Sequence, residues 1–220
     1  MKKTTLYLLL ALSILLTNGC ARKTPLANID QQTLKEHALI IGTLSRNSGK
    51  AYFRESSFSI IDTKNKELVK TVFITGKEDL TSLTNPFVFK DDYHYKDAQG
   101  SLFAVSIPAG TYYLSKFYTG SGAQGYYGNY YTKLTLKAGD IVYIGDIKFK
   151  PILQKAVLVD SKVAAGAQCI ITNKLHRDYP LFKKYYISNL FQKNTIKSVV
   201  NETSFKLGNY SDNTNYLLFL

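Results

Sequence analysis

The amino-acid sequence predicts a mainly β fold, an antiparallel β-sandwich with a C-terminal α-helical segment. Short apolar runs rich in tyrosine, valine and isoleucine recur along the middle of the chain, separated by turn residues, which is typical of sandwiches. Hydrophobic residues make up 45% of the 220 residues, with 17 tyrosines and 12 phenylalanines, so the chain is able to bury a core. Towards the C-terminus the apolar spacing changes from that of strands to that of amphipathic helices.

The N-terminus has the parts of a secretory signal at 1–19. A basic start is followed by an uncharged apolar run at 6–16, which is shorter than the roughly 20 residues of a membrane-spanning helix. The next residues, LTNGC, resemble the lipobox of bacterial lipoproteins. This resemblance implies cleavage before Cys20, acyl chains on that cysteine and stable anchoring in a membrane. Ala21 stands where an aspartate would imply inner-membrane retention, and so implies the outer membrane for a lipoprotein of Gram-negative type.

Residues 20–36 are predicted to form the lipidated N-terminus and a tether. They are mostly polar and contain Pro25, so we expect them to lift the folded part off the membrane. The sandwich domain is predicted to occupy 37–150. Its strands are expected at 38–44, 57–62, 67–74, 102–107, 111–118, 130–136 and 141–149. The polar residues at 63–66, between the second and third of these runs, predict a hairpin turn.

Two segments of the predicted domain carry a second resemblance. LFAVSIPAGTY at 102–112 and LKAGDIVYIGDI at 136–147 resemble the strand and turn motifs of transthyretin-like or carboxypeptidase regulatory-like β-sandwiches, including exported bacterial versions. The resemblance implies an Ig-like sandwich in which the Pro-Ala-Gly segment sets a tight turn and Tyr112 faces the next sheet. Gly145 is expected to let a neighbouring backbone pass closely. It implies little about function, since such sandwiches serve as accessory modules in many proteins.

Residues 151–220 are predicted to form a mostly helical, basic segment that packs on the sandwich. After a last strand at 153–159, Asp160 is a favourable helix N-cap, and apolar residues follow at helical spacing up to Leu175. The Tyr-Pro dipeptide at 179–180 is expected to end this helix, and a second amphipathic helix carrying three lysines is expected to follow. The apolar run at the very C-terminus is expected to pack back on the core.

The chain has two cysteines, Cys20 and Cys169. With lipid on Cys20, Cys169 is the only thiol and no internal disulfide can form. An exposed lone thiol risks cross-linking in an oxidising compartment, so we expect Cys169 to be buried. An intermolecular bridge or a redox role is the alternative.

The formal net charge of +12 predicts a basic surface. On a membrane-tethered protein such a surface suits anionic lipid headgroups, peptidoglycan, surface glycan or another envelope protein. Nucleic acid is not expected as a partner of an exported lipoprotein. A solvated surface without a specific ligand accounts for the same charge, and the oligomeric state stays open.

A glycine-rich segment at 120–125, GSGAQG, matches the spacing of a dinucleotide-binding loop. That motif requires a following helix, and the strand-like residues after it instead predict a hairpin loop. We expect Tyr126 and Tyr127 to be exposed beside the glycines and, with Tyr130, to form a candidate partner-binding loop. Tyrosines offer apolar area and a hydroxyl to sugar rings or proteins. Packing against the core is the alternative, because about half of the side chains of a strand face inward.

The acidic segment at 91–97, DDYHYKD, has metal-binding side chains without the spacing of a calcium loop, so it is predicted to be a polar loop. No HExxH, CxxC or nucleophile-elbow motif is present, and no cofactor or metal is predicted. We therefore predict a non-enzymatic, lipid-anchored binding or scaffolding module of the bacterial outer membrane. The alternatives are an accessory lipoprotein of a secretion or surface-export assembly, and an envelope hydrolase.

Overall fold

The computed structural model describes residues 22–25, 30–48, 51–78, 87–121, 124–156, 161–185 and 195–209. Over these residues the chain is mainly β, as predicted, and forms a mixed sheet curled into a half-barrel with one helix packed on its outer face. The predicted signal and the lipidation residue Cys20 lie outside the described residues. Within the described ranges, no helix has the length and apolar character needed to cross a membrane.

The strands are numbered in chain order. They are β1 (Arg22–Lys23), β2 (His37–Arg46), β3 (Glu55–Asp62), β4 (Leu68–Thr75), β5 (Lys77–Glu78), β6 (Phe87–Val88), β7 (Tyr93–His94), β8 (Gln99–Pro108), β9 (Gly110–Ser121), β10 (Gln124–Gly128), β11 (Thr132–Leu136), β12 (Ile141–Lys155), β13 (Lys162–Thr172), β14 (Ile196–Ser198) and β15 (Thr203–Asn209). A short 3₁₀ helix (Thr33–Lys35) precedes β2, and helix α1 (Leu175–Tyr185) follows β13.

The strands of the curled sheet lie in the order β1-β4-β3-β9-β10-β15-β13-β12-β2-β8-β7, and β5 pairs with β6 separately. The long strand β9 pairs with β11 along its first half and with β10 along its second half. Most neighbours are antiparallel, but β2 and β14 both pair with β12 in parallel. This parallel pairing is where the sheet departs from the predicted antiparallel sandwich.

The predicted hairpin at 57–74 is confirmed in β3 and β4. Asp62 closes its turn, because its backbone N–H donates to the carbonyl of Glu67 at 2.9 Å and its carboxylate accepts from the N–H of Lys64 at 2.6 Å. Lys66 takes the positive φ of 61° that completes the turn. A self-capping aspartate of this kind is a common turn signal.

The main core fills the inner face of the half-barrel, where alternate residues of the strands meet. The ring of Phe58 lies 5.4 Å from that of Phe103 and 5.9 Å from that of Phe117 at its centre. A second, smaller core separates the outer face of β2, β8 and β12 from α1, and includes Tyr143 and Phe182. The half-barrel and the helix therefore form two apolar layers around the central strands.

Gly145 has the predicted role. It takes a positive φ of 116°, and its carbonyl oxygen lies so near β2 that a Cβ on Gly42 would come within 2.6 Å of it. The register between β2 and β12 shifts at this point. Two glycines thus permit the close passage of the parallel strands.

The prediction of a helix that begins at Asp160 is wrong. Residues 162–172 form β13, which pairs with β12 on one side and β15 on the other. Ala167, Cys169 and Ile171 enter the main core with a period of two. The preceding strand β12 and the more distant β15 thus supply the partners that make this segment a strand.

Helix α1 includes residues 182–185 of the second predicted helix but begins earlier, at Leu175, and the expected continuation at 186–194 lies outside the described residues. Leu175 begins the helix with its N–H donating to the side chain of Asn173 at 3.1 Å. Pro180 lies inside the helix instead of ending it. Strands β13, β14 and β15 also belong to the segment predicted as mostly helical, and β12 continues across the expected boundary at residue 150.

Part of the predicted tether belongs to the sheet. Arg22 and Lys23 form β1 beside β4. Thr24 is buried, and its N–H and hydroxyl group both hydrogen-bond to the backbone of Phe73, at 2.8 and 2.7 Å. The curled sheet therefore includes residues 22 and 23 of the predicted tether.

Candidate functional site

A cavity of about 300 Å³ opens at one end of the half-barrel. It lies where β2, β4 and β12 approach their C-terminal ends and where β3 begins. Its walls are mostly apolar and include Leu44, Phe53, Ile74, Phe89, Phe149 and Leu153. This volume is at the lower end of the range of small-molecule sites, and the mouth of a curled sheet is a common place for one.

Arg46 supplies the main polar group of the cavity. Its Nη1 and Nη2 atoms donate to the two oxygens of Asp91 at 2.7 and 2.5 Å, and its guanidinium carbon lies 3.7 Å from the centre of the Phe89 ring. The Nε atom is buried and has no hydrogen-bond partner among the described residues. A buried donor of this kind carries a desolvation cost until an acceptor reaches it.

Lys150 also lines the cavity. The charge of Arg46 is matched by Asp91, whose side chain is 1% exposed, whereas Lys150 adds a further positive charge at the rim. The cavity thus combines an apolar interior with a cationic, donor-bearing edge. Chemically, this arrangement suits a molecule with an apolar body and an anionic or hydrogen-bond-accepting end.

A second polar cluster lies buried between α1 and the sheet. Arg177 donates from Nε to Asp178 at 2.6 Å, and its Nη1 lies 3.2 Å from a carboxylate oxygen of Asp146. Tyr143 donates to Asp178 at 2.6 Å, and Thr43 donates to Asp146 at 2.9 Å. The cluster contains two carboxylates and one guanidinium, so carboxylates are in excess.

Burial shifts the pKa values of the acidic groups in this cluster. Desolvation raises the pKa of Asp178, while the hydrogen bonds from Arg177 and Tyr143 act in the opposite direction. Desolvation and the nearby Asp178 charge also raise the pKa of the Tyr143 hydroxyl. Asp178 and Tyr143 are completely buried, so they are out of reach of a substrate, and the cluster acts by holding α1 on the sheet. No sequence motif indicates this cluster, because its members come from three separate elements, β2, β12 and α1.

The three tyrosines of the predicted binding loop have different surroundings. The prediction that Tyr126 is exposed is wrong, since it is 2% exposed, contacts Phe53 and donates to the carbonyl of Ala164. Tyr127 is 38% exposed, as expected, whereas the half-buried Tyr130 stacks on Phe205 at 4.8 Å. The glycine-rich segment is a β9–β10 hairpin, with residues 122 and 123 outside the described part.

Two of the three carboxylates of the acidic segment at 91–97 are held in ion pairs. Asp91 binds Arg46, and Asp92 pairs with Lys23 while accepting the backbone N–H of Leu102 at 2.9 Å. The exposed His94 lies 3.8 Å from Asp91. In the part of the chain that the structure describes, no three metal-binding side chains gather into a possible metal site.

His37 contacts a serine, Ser106, whose hydroxyl group is of the kind that acts as a nucleophile in hydrolases. The Nδ1 atom of His37 lies 2.9 Å from the hydroxyl of Ser106, across β2 and β8. Among the described residues no carboxylate hydrogen-bonds the His37 ring. The pair lacks the third group that orients the base in a catalytic triad.

Cys169 is buried, as predicted. Burial raises the pKa of its thiol, which keeps it protonated and unreactive in the folded protein.

Comparisons with known proteins found no family model, no curated protein and no solved structure that matches this sequence.

Proposed function

We propose that this protein is a lipid-anchored binding protein of the bacterial outer membrane, with the cavity at the end of the half-barrel as its binding site. The ligand is a small amphipathic molecule with an anionic or hydrogen-bond-accepting end. The observation that carries this proposal is a mostly apolar cavity with Arg46 and the exposed Lys150 at its polar edge. The charge of Lys150 at the rim would attract the anionic end of the ligand, and the phenylalanine and leucine side chains would cover the apolar body.

The anchor in this proposal is acyl lipid on Cys20. It is supported by the signal at 1–19 and the lipobox resemblance. The proposed outer-membrane location rests on Ala21, the residue after the lipidated cysteine. No nucleic acid takes part.

Membership of the transthyretin-like or Ig-like sandwiches is the finer proposal for the fold. The β8–β9 turn supports it, because the hydroxyl of Tyr112 donates to the carbonyl of Pro108 at 2.8 Å and so fixes the predicted Pro-x-Gly-x-Tyr segment. The parallel pairing of β2 with β12 is less typical of such sandwiches.

A scaffolding role in a secretion or surface-export assembly is the second candidate. It is favoured by Tyr127 and Tyr131, which are 38% and 54% exposed near the β9–β10 hairpin and offer a surface to protein or glycan. An envelope hydrolase has weaker support, since His37 and Ser106 have no acidic partner among the described residues.

Binding at the cavity is tested with 1-anilinonaphthalene-8-sulfonate, a fluorescent probe with an apolar body and an anionic group. We expect the purified protein to bind it, and the variant Lys150→Glu/Leu153→Asp to bind at least about tenfold more weakly, because the rim becomes repulsive to the sulfonate. Lys133→Glu, an exposed change on β11, is the matched control. Equal affinity in all three proteins would show that the probe does not enter this cavity.

Anchoring is tested by intact mass spectrometry of the membrane-extracted protein. We expect a chain that begins at Cys20 and carries acyl chains, whereas Cys20→Ala should stay unlipidated. An unmodified Cys20 in the wild-type protein would contradict the anchor without affecting the binding test.

A further inference from the structure

The outer face of strand β9 carries two pairs of tyrosine rings, which we call the tyrosine face. The ring centre of Tyr118 lies 4.6 Å from that of Tyr127 on β10. The ring centre of Tyr113 lies 5.7 Å from that of Tyr131, the residue before β11. The inward side chains of this part of β9 are those of Tyr112, Leu114 and Phe117. Tyr113 and Tyr118 are their neighbours in the strand and therefore face outward, on a surface that extends up to about 17 Å along β9.

The pair formed by Tyr118 and Tyr127 lies along the sheet over two glycines. A Cβ on Gly120 would come within 2.5 Å of the Tyr118 hydroxyl oxygen. A Cβ on Gly125 would come within 2.8 Å of the Tyr118 ring and 3.0 Å of the Tyr127 ring. The Tyr118 hydroxyl donates to Glu55 at 2.5 Å, which holds the ring in this orientation. The two rings thus form a flat aromatic surface on the backbone of the β9–β10 hairpin.

The pair formed by Tyr113 and Tyr131 lies beside two lysines. Lys133 of β11 is the cross-strand neighbour of Tyr113 and is exposed. The Nζ atom of Lys66, in the β3–β4 turn, lies 5.0 Å from the centre of the Tyr113 ring. A negatively charged group placed against this pair would therefore meet two positive charges.

Two more exposed lysines flank the first pair on the same face. Lys116 lies on β9 between the two pairs and precedes a residue that points into the main core. Lys206 of β15 is two residues from Gly208, the cross-strand neighbour of Tyr127, so both point outward. Among the described residues, no carboxylate pairs with Lys116, Lys133 or Lys206. The tyrosine face is therefore both aromatic and cationic.

The positions beside the first pair are small or hydroxylic. Ser57 of β3 is the cross-strand neighbour of Tyr118, as Gly208 is of Tyr127. A sugar fits this combination, because the C–H face of its ring packs on an aromatic ring while its hydroxyl groups form hydrogen bonds. A surface that enters a bilayer instead needs large aliphatic side chains at such positions.

We propose that the tyrosine face binds an acidic polysaccharide. Sugar rings pack on the two tyrosine pairs, and the acidic groups of the polymer lie against Lys66, Lys116, Lys133 and Lys206. None of these side chains lines the cavity. The proposal therefore rests neither on the small ligand of the cavity nor on the lipid anchor, and it gives a partner of defined chemistry to the exposed tyrosines.

Binding is measured by biolayer interferometry on the mature chain, 20–220, with Cys20→Ser so that no lipid is attached. The immobilised polymers are alginate, which is a polymer of uronic acids, carboxyl-reduced alginate, and dextran sulfate. We expect the protein to bind both acidic polymers, less tightly as salt is raised, and to bind carboxyl-reduced alginate at least about tenfold more weakly than alginate. Absence of binding to both acidic polymers, or equal binding to the carboxyl-reduced form, would overturn the proposal.

Two double variants locate the surface, with polyphosphate as an anion that has no sugar ring. Tyr127→Ala/Tyr131→Ala should weaken alginate binding at least about tenfold and leave polyphosphate binding unchanged. Lys133→Gln/Lys206→Gln should weaken binding of both polymers about fivefold, the combined effect of two exposed ion pairs. The controls make the same changes at exposed positions elsewhere, as Tyr95→Ala/Tyr185→Ala and Lys174→Gln/Lys183→Gln.

Circular dichroism confirms that each of these variants is folded. Equal losses in the tyrosine-face and control variants would contradict the location of the site. A tyrosine variant that lost alginate and polyphosphate binding equally would show that the surface recognises charge and not sugar.

A tryptophan at position 131 separates stacking on the polymer from a structural role of the ring. Tyr131→Trp should keep the affinity for alginate that Tyr131→Ala loses, and its fluorescence should change on binding, since the chain contains no other tryptophan. Tyr185→Trp, on α1, is the control and should not respond. An equal response of Tyr131→Trp to phosphatidylglycerol vesicles would assign the face to lipid and overturn the proposal. None of these results depends on probe binding in the cavity or on the mass of the membrane-extracted protein.

Discussion

Asp178 is the residue whose charge state matters most for the attachment of α1. Its carboxylate is completely buried and shares Arg177 with Asp146. Because desolvation is the largest influence, its pKa is raised above the ordinary value of 3.8. The folded protein therefore binds this proton more tightly than the unfolded chain does. The contribution to stability is fully present below about pH 3.8 and is lost as the pH rises through the raised pKa.

The raised pKa of Asp178 in the folded protein predicts how the stability of the Asp178→Asn variant compares with that of the wild type at different pH values. The free energy of unfolding of the wild type, minus that of Asp178→Asn, should fall as the pH rises from about 3.8 through the raised pKa, because only the wild type must ionise a buried group. Urea unfolding at a series of pH values measures this difference. A difference that grows with pH would mean that Arg177 outweighs desolvation and that the pKa is lowered.

Arg177→Met is the companion variant at the same cluster. It leaves Asp146 and Asp178 without their guanidinium partner, so we expect a loss of about 3–5 kcal/mol in the free energy of unfolding at neutral pH. The exposed Lys183→Met, on the same helix, is the control and should change stability by less than about 0.5 kcal/mol. Similar losses in the two variants would show that the helix and not the cluster is responsible.

At the scale of elements, strand β10 of the β9–β10 hairpin gives the adjacent Tyr126 and Tyr127 opposite surroundings, although the sequence predicts both to be exposed. Tyr126→Ala removes a buried ring, so we expect a loss of about 3 kcal/mol in the free energy of unfolding. Tyr127→Ala should cost less than about 1 kcal/mol, since its ring is 38% exposed and contacts Tyr118. Thermal or urea unfolding of the two variants measures the contrast, and equal losses would contradict the assigned register of β10.

An element could be predicted from the sequence when the contacts that stabilise it are between residues close together in the chain. The β3–β4 hairpin was predictable because Asp62 and Lys66 form the turn locally. Strand β13 was not, because Ala164, Ala167, Ile171 and Leu175 also fit one face of a helix. Only pairing with β12 and β15 makes Cys169 an inward-facing residue, and neither partner is visible within a local window.

The cavity was harder to predict for the same reason. Arg46 contacts both Phe89 and Asp91, and Asp91 lies 45 residues further along the chain, so no short spacing in the sequence links the arginine to its partners. The tyrosine loop, in contrast, is predicted from residues that are adjacent in the sequence. The alternation of side chains along β10 then determines that Tyr126 faces inward. Local patterns thus predict strands and turns, while the candidate site depends on how the sheet closes.

At the scale of the whole molecule, the predicted division at residue 150 cuts through β12. The sheet joins β15 to β10 on one side and β13 to β12 on the other, so the C-terminal strands complete the same half-barrel. Composition changes near 150, from tyrosine-rich strands to a lysine-rich segment, which suggested two parts. The common core instead unites residues from both sides, such as Phe117 and Phe205 with ring centres 5.2 Å apart.

A shared core predicts that the described chain unfolds as one cooperative unit. In the mature chain with Cys20→Ser, Cys169 is the only thiol, and it reports on the C-terminal part of the sheet. Its accessibility to a thiol reagent during guanidinium unfolding should rise at the same denaturant concentration at which far-ultraviolet circular dichroism is lost, because opening β13 also exposes the main core. A chain truncated after Lys150 should fail to fold, since β10 loses its partner β15 and the shortened β12 loses its partner β13. If the thiol accessibility and the circular dichroism changed at different denaturant concentrations, or if the truncated chain folded, residues 151–220 would be a separate folding unit.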